Sequence, residues 1–249
     1  MKPIQKQDMP LSQTQNGMAN MNSHRLLSLR GVSKVFTETG SRIELFRNLD
    51  FDLVAGDFVS ITGASGAGKS TLLHILGLLE SPTEGAVLFR DEDVSGLPDA
   101  RLSRIRNREL GFVFQFHHLL PDLSVLENVL LPLRIGAADA LDAAGRARAH
   151  ALLTRVGLDG RLDHVPAQLS GGERQRAAVA RALIREPAAL LCDEPSGNLD
   201  TKNAAALHEM LETLSREHGV AVLVVTHDAG LAGRAARPLA LRDGRLEPA

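Results

Sequence analysis

Gly63-Ala64-Ser65-Gly66-Ala67-Gly68-Lys69-Ser70-Thr71 follows the pattern G-x-x-x-x-G-K-[ST], and its flanks give that pattern its meaning. Phe58 to Thr62, just before it, is a short apolar run of strand character. Thr71 to Leu76, just after it, has the unbroken apolar character of a buried helix, and Ala86-Val87-Leu88-Phe89 returns to strand. The unit reads as strand, glycine-rich loop, helix, strand. In such a loop small residues let successive backbone N–H groups turn inward and cradle phosphate oxygens, while the helix start adds positive potential. Lys69 then reaches the β- and γ-phosphates of a nucleotide, and the Ser70 hydroxyl ligates Mg2+. Every residue from Gly63 to Thr71 is a candidate phosphate contact.

A second element lies downstream. Ala189-Leu190-Leu191-Cys192-Asp193-Glu194 is an apolar strand ending in two acids. Beside a phosphate loop, an Asp in that place completes a Mg2+ shell, and a neighbouring carboxylate orients and polarises the attacking water. Asp193 is therefore a candidate metal ligand and Glu194 a candidate general base. Cys192, inside the strand, reads as a small buried hydrophobe.

Composition bounds the rest. With 249 residues and 44% hydrophobic content the chain can bury a sizeable core, which excludes a disordered or fibrous protein. The formal charge is −2, from 28 Lys and Arg against 30 Asp and Glu, with no long block of one sign. That argues against a nucleic-acid binder. A single cysteine excludes an intramolecular disulfide and a cysteine-cluster metal site, and points to the cytoplasm. Residues 1–25 are rich in Gln, Asn, Ser and Met, lack the apolar run of a secretory signal, and read as a flexible tail. No stretch approaches the length of a membrane span, so any work at a membrane requires another polypeptide to do the spanning.

Alternating strand and helix patterns place the chain in the α/β class. Leu26 to Leu53 looks like strands. The middle, about residues 116–186, is dominated by Ala, Leu and Arg and reads as an inserted helical subdomain, with helices expected over Ala138 to Val156 and Glu173 to Arg185. Beyond Pro187 come strand Ala188 to Asp193, helix Lys202 to Glu217, strand Val220 to Thr226 and a closing hairpin at Asp243-Gly244.

One further stretch separates the families that share a phosphate loop. Leu169-Ser170-Gly171-Gly172-Glu173-Arg174-Gln175-Arg176, with Ser170 placed 23 residues before Asp193, sets two glycines after a Ser at a helix start. It resembles the signature of the ATP-binding cassette (ABC) ATPases. The family's other marks are present over residues 26–245. Gln115, after strand Gly111 to Phe114, matches the Q-loop glutamine. Ser196-Gly197-Asn198-Leu199-Asp200 resembles the D-loop, with Ser where the family commonly has Thr. His227, at the end of strand Val220 to Thr226, matches the switch histidine.

The resemblance implies a P-loop NTPase core with an antiparallel β subdomain and an inserted α-helical subdomain, in one domain over residues 26–249. It implies ATP and Mg2+ as ligands, with Gln115 joining Ser70 and Asp193 at the metal. It makes Lys69, Gln115, Glu194 and His227 the catalytic set, and Asp200 a nucleotide-site residue. It also implies a head-to-tail homodimer, in which Ser170, Gly171 and Gly172 contact the γ-phosphate held by the partner's Lys69. Adenine in this family stacks on an aromatic side chain, usually Tyr. This chain has no Tyr and no Trp, and Phe36, in Val32-Ser33-Lys34-Val35-Phe36, stands at the matching place.

Within the family, Phe114-Gln115-Phe116-His117-His118-Leu119-Leu120-Pro121-Asp122-Leu123 resembles the branch that serves bacterial lipoprotein release. That implies a peripheral subunit on the cytoplasmic face of the inner membrane, bound to integral membrane permease subunits. A macrolide or peptide exporter of the same branch is the alternative. The segment after the Q-loop is where ABC membrane subunits dock, so His117 and His118 are expected to form a partner interface. Adjacent histidines make a poor chelate, so they are not expected to bind zinc. ABC proteins of DNA maintenance carry a long coiled-coil insertion between loop and signature, and translation factors carry two cassettes. Here 101 positions separate Lys69 from Ser170 and there is one cassette.

Overall fold

The structure, a computed structural model, describes residues 25–38, 41–136 and 142–249. Two sheets organise it. The first is antiparallel, in the order β2-β1-β4-β5, from β1 (Arg25–Glu38), β2 (Ser41–Val54), β4 (Glu84–Phe89) and β5 (Glu92–Asp93). The second has the order β10-β9-β3-β8-β7-β6, from β3 (Phe58–Thr62), β6 (Leu110–Phe114), β7 (Ala189–Asp193), β8 (Ala221–Val225), β9 (Arg237–Arg242) and β10 (Arg245–Pro248). All its pairings are parallel except that of β10 with β9. Parallel strands share one carboxyl edge, so the residues that follow β3, β6, β7 and β8 emerge side by side. Those residues are the glycine-rich loop, Gln115, Glu194 and His227.

The central strands are buried on both faces, β8 at every position, which explains why they read as continuous apolar runs. The helices are α1 (Lys69–Leu76), α2 (Asp99–Glu109), α3 (Val125–Gly136), α4 (Ala143–Arg155), α5 (Gly171–Leu183), α6 (Thr201–His218) and α7 (Ala229–Ala232). Helices α3, α4 and α5 enclose a core of their own, including Val129, Leu133, Leu153, Ala177 and Ile184. The other side of α5, through Val179 and Leu183, packs into the core beneath β7 and β8. Alanines at 177, 178 and 180 let α5 lie close to both cores at once, and it thereby joins the helical segment to the sheet.

The α/β class, the helical insertion and the strand–loop–helix unit are as expected. The sequence patterns did not separate α2 and α3 or divide Leu26 to Leu53 into two long paired strands. Of the expected tail, residues 1–24 lie outside the described residues and Arg25 opens β1, 3.6 Å from the Asp52 carboxylate. Of the helix expected from Ala138, residues 138–141 lie outside them too. Asp142 caps α4, its side chain accepting from the Gly145 N–H.

Candidate nucleotide site and its surroundings

Gly68 ends the loop with φ +97°, and a Cβ there would stand 3.2 Å from the Leu45 side chain, so glycine is required. Gly68 is also the N-cap of α1 and supplies no side-chain cap. The first N–H groups of the helix are thus left unclaimed by any side chain and point at the loop, which is an anion-binding arrangement. Lys69 curls back over it: Nζ donates to the carbonyls of Gly63 at 2.9 Å and Ala64 at 3.0 Å. An open cleft of about 1460 Å³ runs from Ile43 on β2 past Thr62 to Ala67 and the Ala240–Leu246 hairpin. Ile43 pairs across the strands with Phe36, and both side chains are exposed, at 54% and 36%. Lys34 Nζ sits 4.8 Å from the Phe36 ring centroid.

Ser70 Oγ donates to Asp193 Oδ1 at 3.0 Å. Burial pushes the Asp193 carboxyl above the usual range, with Ser70, His74 and Lys69 pulling the other way. Two hard oxygen donors side by side at the loop suit Mg2+ completed by phosphate and water. Among the described residues no cluster of three His, Cys, Asp or Glu offers a cage made of protein alone.

Glu194 has φ +46°, a strained conformation for a non-glycine residue. Its N–H is held by the Val225 carbonyl at 2.9 Å. One carboxylate oxygen, Oε2, accepts from the Thr226 hydroxyl at 3.1 Å and the His227 backbone N–H at 3.2 Å, with His227 Nδ1 2.9 Å away. Anchored on one oxygen, the carboxylate keeps the other for a water. Gln115 and Asn198 bond reciprocally, Gln115 Nε2 to Asn198 Oδ1 at 3.2 Å and Asn198 Nδ2 to the Gln115 carbonyl at 3.1 Å. The segment after β7 is thereby tied to the segment after β6. Asp200 caps α6, its carboxylate taken by the N–H and side chain of Asn203 at 2.8 and 2.7 Å.

Ser170 starts α5 in a reciprocal capping box. Its hydroxyl accepts from the Glu173 N–H, and its own N–H donates to Glu173 Oε2 at 2.8 Å. Gly172 has no room for a side chain, since a Cβ would lie 2.5 Å from Asn203 Oδ1. The signature therefore rests on the start of α6, and Arg176 bonds the same Asn203 oxygen at 3.1 Å. Glu173 also receives Arg161 Nε at 2.9 Å. The Ser170 N–H, Arg161 and the Ser170 hydroxyl together hold the Glu173 carboxyl down to about 2.

A carboxyl depressed in the fold stabilises it above its unfolded pKa and loses that contribution as pH falls toward the folded value. For Glu173 the window is from about 4.5 down to about 2. Glu173→Ala is expected to melt several degrees below wild type at pH 7, with the gap narrowing on acidification below pH 4.5. Differential scanning calorimetry from pH 7 to 3 checks it, and a gap independent of pH would exclude the charged cap.

The expected histidine interface needs correction. Only His118 is exposed. His117 is 8% exposed, turned inward toward Gln175 and Arg174, with both its own φ and that of His118 positive at 61° and 48°. Arg181 holds this turn by donating to both histidine carbonyls. The exposed surface there is apolar instead: Phe116 at 73% and Leu120 at 44%. A groove of about 400 Å³, lined by Leu79, Phe112, Leu131, Ile135, Arg181 and Arg185, also opens between β6 and the helical segment. Asn198, part of the stretch that resembles the D-loop, and Thr226 and Asp228 were not among the expected site residues. Thr226 and Asp228 flank His227, but nothing in a lone Thr or Asp marks it as a hydrogen-bond hub.

Residues 46–197 match the protein family described as ABC transporter. The chain is 48% identical over 221 residues to the lipoprotein-releasing system ATP-binding protein LolD of Syntrophus aciditrophicus (strain SB), covering 89% of this chain and 98% of that protein. It is 50% identical over 222 residues to the LolD of Bordetella pertussis (strain Tohama I), covering 89% and 95%. Among solved structures it resembles the ATP-binding cassette MJ0796, dimeric in a post-hydrolysis state with ADP and Pi. That match has a TM-score of 0.83 at 40% identity and covers 89% of this chain and 97% of that one.

Proposed function

Since the chain belongs to the ABC transporter family and is a nucleotide-binding, ATP-hydrolysing transport enzyme, we propose that it is the ATPase subunit of an inner-membrane complex that releases lipoproteins. The lipoproteins are those bound for the outer membrane, handed toward a periplasmic carrier. The observation that carries this is the identity of 48 to 50%, spread over nearly the whole chain, to LolD proteins of several species. Residues 26–249 form one ATP-binding domain with its helical subdomain over about 116–186. The protein works as a homodimer at the cytoplasmic face. No helix among the described residues is long and apolar enough to cross a membrane, which accords with membrane subunits of the LolC/LolE type doing the spanning. Exposed Phe116 and Leu120 and the groove at Leu131 and Ile135 are the surface those subunits dock on.

In this reading the backbone of Gly63 to Thr71 and Lys69 hold the ATP phosphates, and Phe36 stacks on adenine. Ser70, Asp193 and Gln115 hold Mg2+, which when bound spreads the charge of the transferring phosphoryl group. Lys69 exchanges its two loop carbonyls for phosphate oxygens. Glu194, through its free oxygen, orients the attacking water and takes its proton. His227 serves as a hydrogen-bond donor to the γ-phosphate. Ser170, Gly171 and Gly172 close the site of the second protomer, and Asp200 fixes the turn that faces it.

Tagged Glu194→Gln protein, loaded with ATP and drawn from detergent-solubilised native membranes, tests the reading by mass spectrometry of what accompanies it. Two related membrane proteins with large periplasmic domains, together with lipoprotein, are expected. A single unrelated permease would replace lipoprotein release with a macrolide or peptide exporter, and purely soluble partners would overturn the membrane assignment.

A further inference from the structure

Helix α6 carries two buried polar side chains on its packed face, His208 and Ser215. Ser215 is satisfied, donating to the Gly56 carbonyl at 2.9 Å. His208 is 6% exposed, and its Nε2 has no hydrogen-bond partner. That nitrogen stands 3.5 Å from Asp228 Oδ2, close enough for a small shift to complete a bond. A buried unpaired ring nitrogen is costly, so its placement against a carboxylate calls for an explanation.

Asp228 is where three segments meet. Its Oδ1 accepts the N–H groups of Gly230 and Leu231 at 2.8 and 3.1 Å, fixing the turn after His227. Its Oδ2 accepts the Ser196 hydroxyl at 3.1 Å, fixing the turn after Glu194. Its N–H donates to Thr226 Oγ1 at 3.0 Å. Because that oxygen is already accepting, the Thr226 hydroxyl hydrogen is turned toward Glu194 Oε2, 3.1 Å away. Burial raises the Asp228 carboxyl, but the Leu231 N–H, Ser196 and His208 outweigh it and hold it below the usual range, so it stays ionised as an acceptor. Burial holds His208 below the ordinary histidine range, with Asp228 opposing and Arg234 reinforcing.

We propose that His208 is a positioning residue for hydrolysis: from α6 it secures Asp228, whose carboxylate holds Ser196 and whose backbone N–H holds Thr226, and Asp228 thereby sets the placement of Glu194. The same helix begins at Asp200 and Asn203, against Gly172 at the start of α5. One rigid element thus touches the signature at its first turn and the support of the water-orienting carboxylate two turns later. A signature engaged with a second protomer is in this way mechanically tied to the chain's own Glu194. The inference rests on Glu194 acting as the base.

The test is steady-state ATPase of the purified full-length protein carrying His208→Phe, His208→Met or His208→Gln, with Glu194→Gln measured alongside. Two apolar variants are used so that a poor fit of one does not decide the matter. Each is expected to lower kcat about 10-fold, with KM for ATP within about 2-fold and the melting temperature within a few degrees of wild type, as a slightly misplaced base does. The amide N–H of His208→Gln reaches the same carboxylate and is expected to restore most of the rate. Wild-type turnover in a folded apolar variant, or no rescue by Gln, would overturn the proposal while a slow Glu194→Gln upheld the base. A fast Glu194→Gln would instead remove the base and, with it, this inference.

Discussion

Glu194→Gln is expected to bind ATP normally and to turn it over at least about 100-fold more slowly, the range associated with loss of a general base. The geometry sharpens this expectation. Two donors, the Thr226 hydroxyl and the His227 backbone N–H, converge on Glu194 Oε2, so the amide oxygen of the variant must occupy that place. Its NH2 group is then left at the open position, where a water would need an acceptor. A donor there cannot take a proton, and the fold around it is undisturbed. ATP that binds and is not hydrolysed should hold two protomers together, so size-exclusion chromatography with ATP is expected to show a dimer for the variant at concentrations where wild type elutes as a monomer. An unchanged rate in single-turnover kinetics would take Glu194 out of the mechanism.

Lys69→Ala removes the ammonium that reaches over the loop, where it is held by the Gly63 and Ala64 carbonyls at 2.9 and 3.0 Å. A charge-assisted contact to phosphate is worth about 1.5 to 3 kcal/mol, so ATP affinity should fall by about 10- to 100-fold. Hydrolysis should fall below detection, because the same ammonium meets the charge of the transferring phosphoryl group. Isothermal titration with a non-hydrolysed ATP analogue measures the first effect and phosphate release the second. Normal turnover would sink the assignment of residues 63–71 as the phosphate loop. The two variants separate binding from chemistry, since one loses both and the other only the second.

Much of the site was legible in the sequence because its parts are local. A glycine whose backbone must take φ +97°, as Gly68 does, or a Ser that caps its own helix through Glu173, as Ser170 does, needs only near neighbours. The same holds for the apolar strands that end in Asp193-Glu194 and in Thr226-His227. These short-range demands were enough for the α/β class, the loop, the signature and the family. Patterns with weak or mixed periodicity were not legible: α2 packs on the core through only two half-buried apolar residues, Leu102 and Ile105, too short a stripe to read.

Only the tertiary structure decided which side chains answer one another. His117 and His118 look alike in sequence, yet a turn with two successive positive φ values, clamped by Arg181, buries one and exposes the other. Asp228 and His208 are separated by 20 residues and meet because α6 lies on β8. The convergence of residues from four strand ends follows from parallel pairing, which no single strand encodes. The division has one physical cause: torsional preference and capping act over a few residues and are written where they act, while burial and long-range hydrogen bonding depend on which surfaces are brought together.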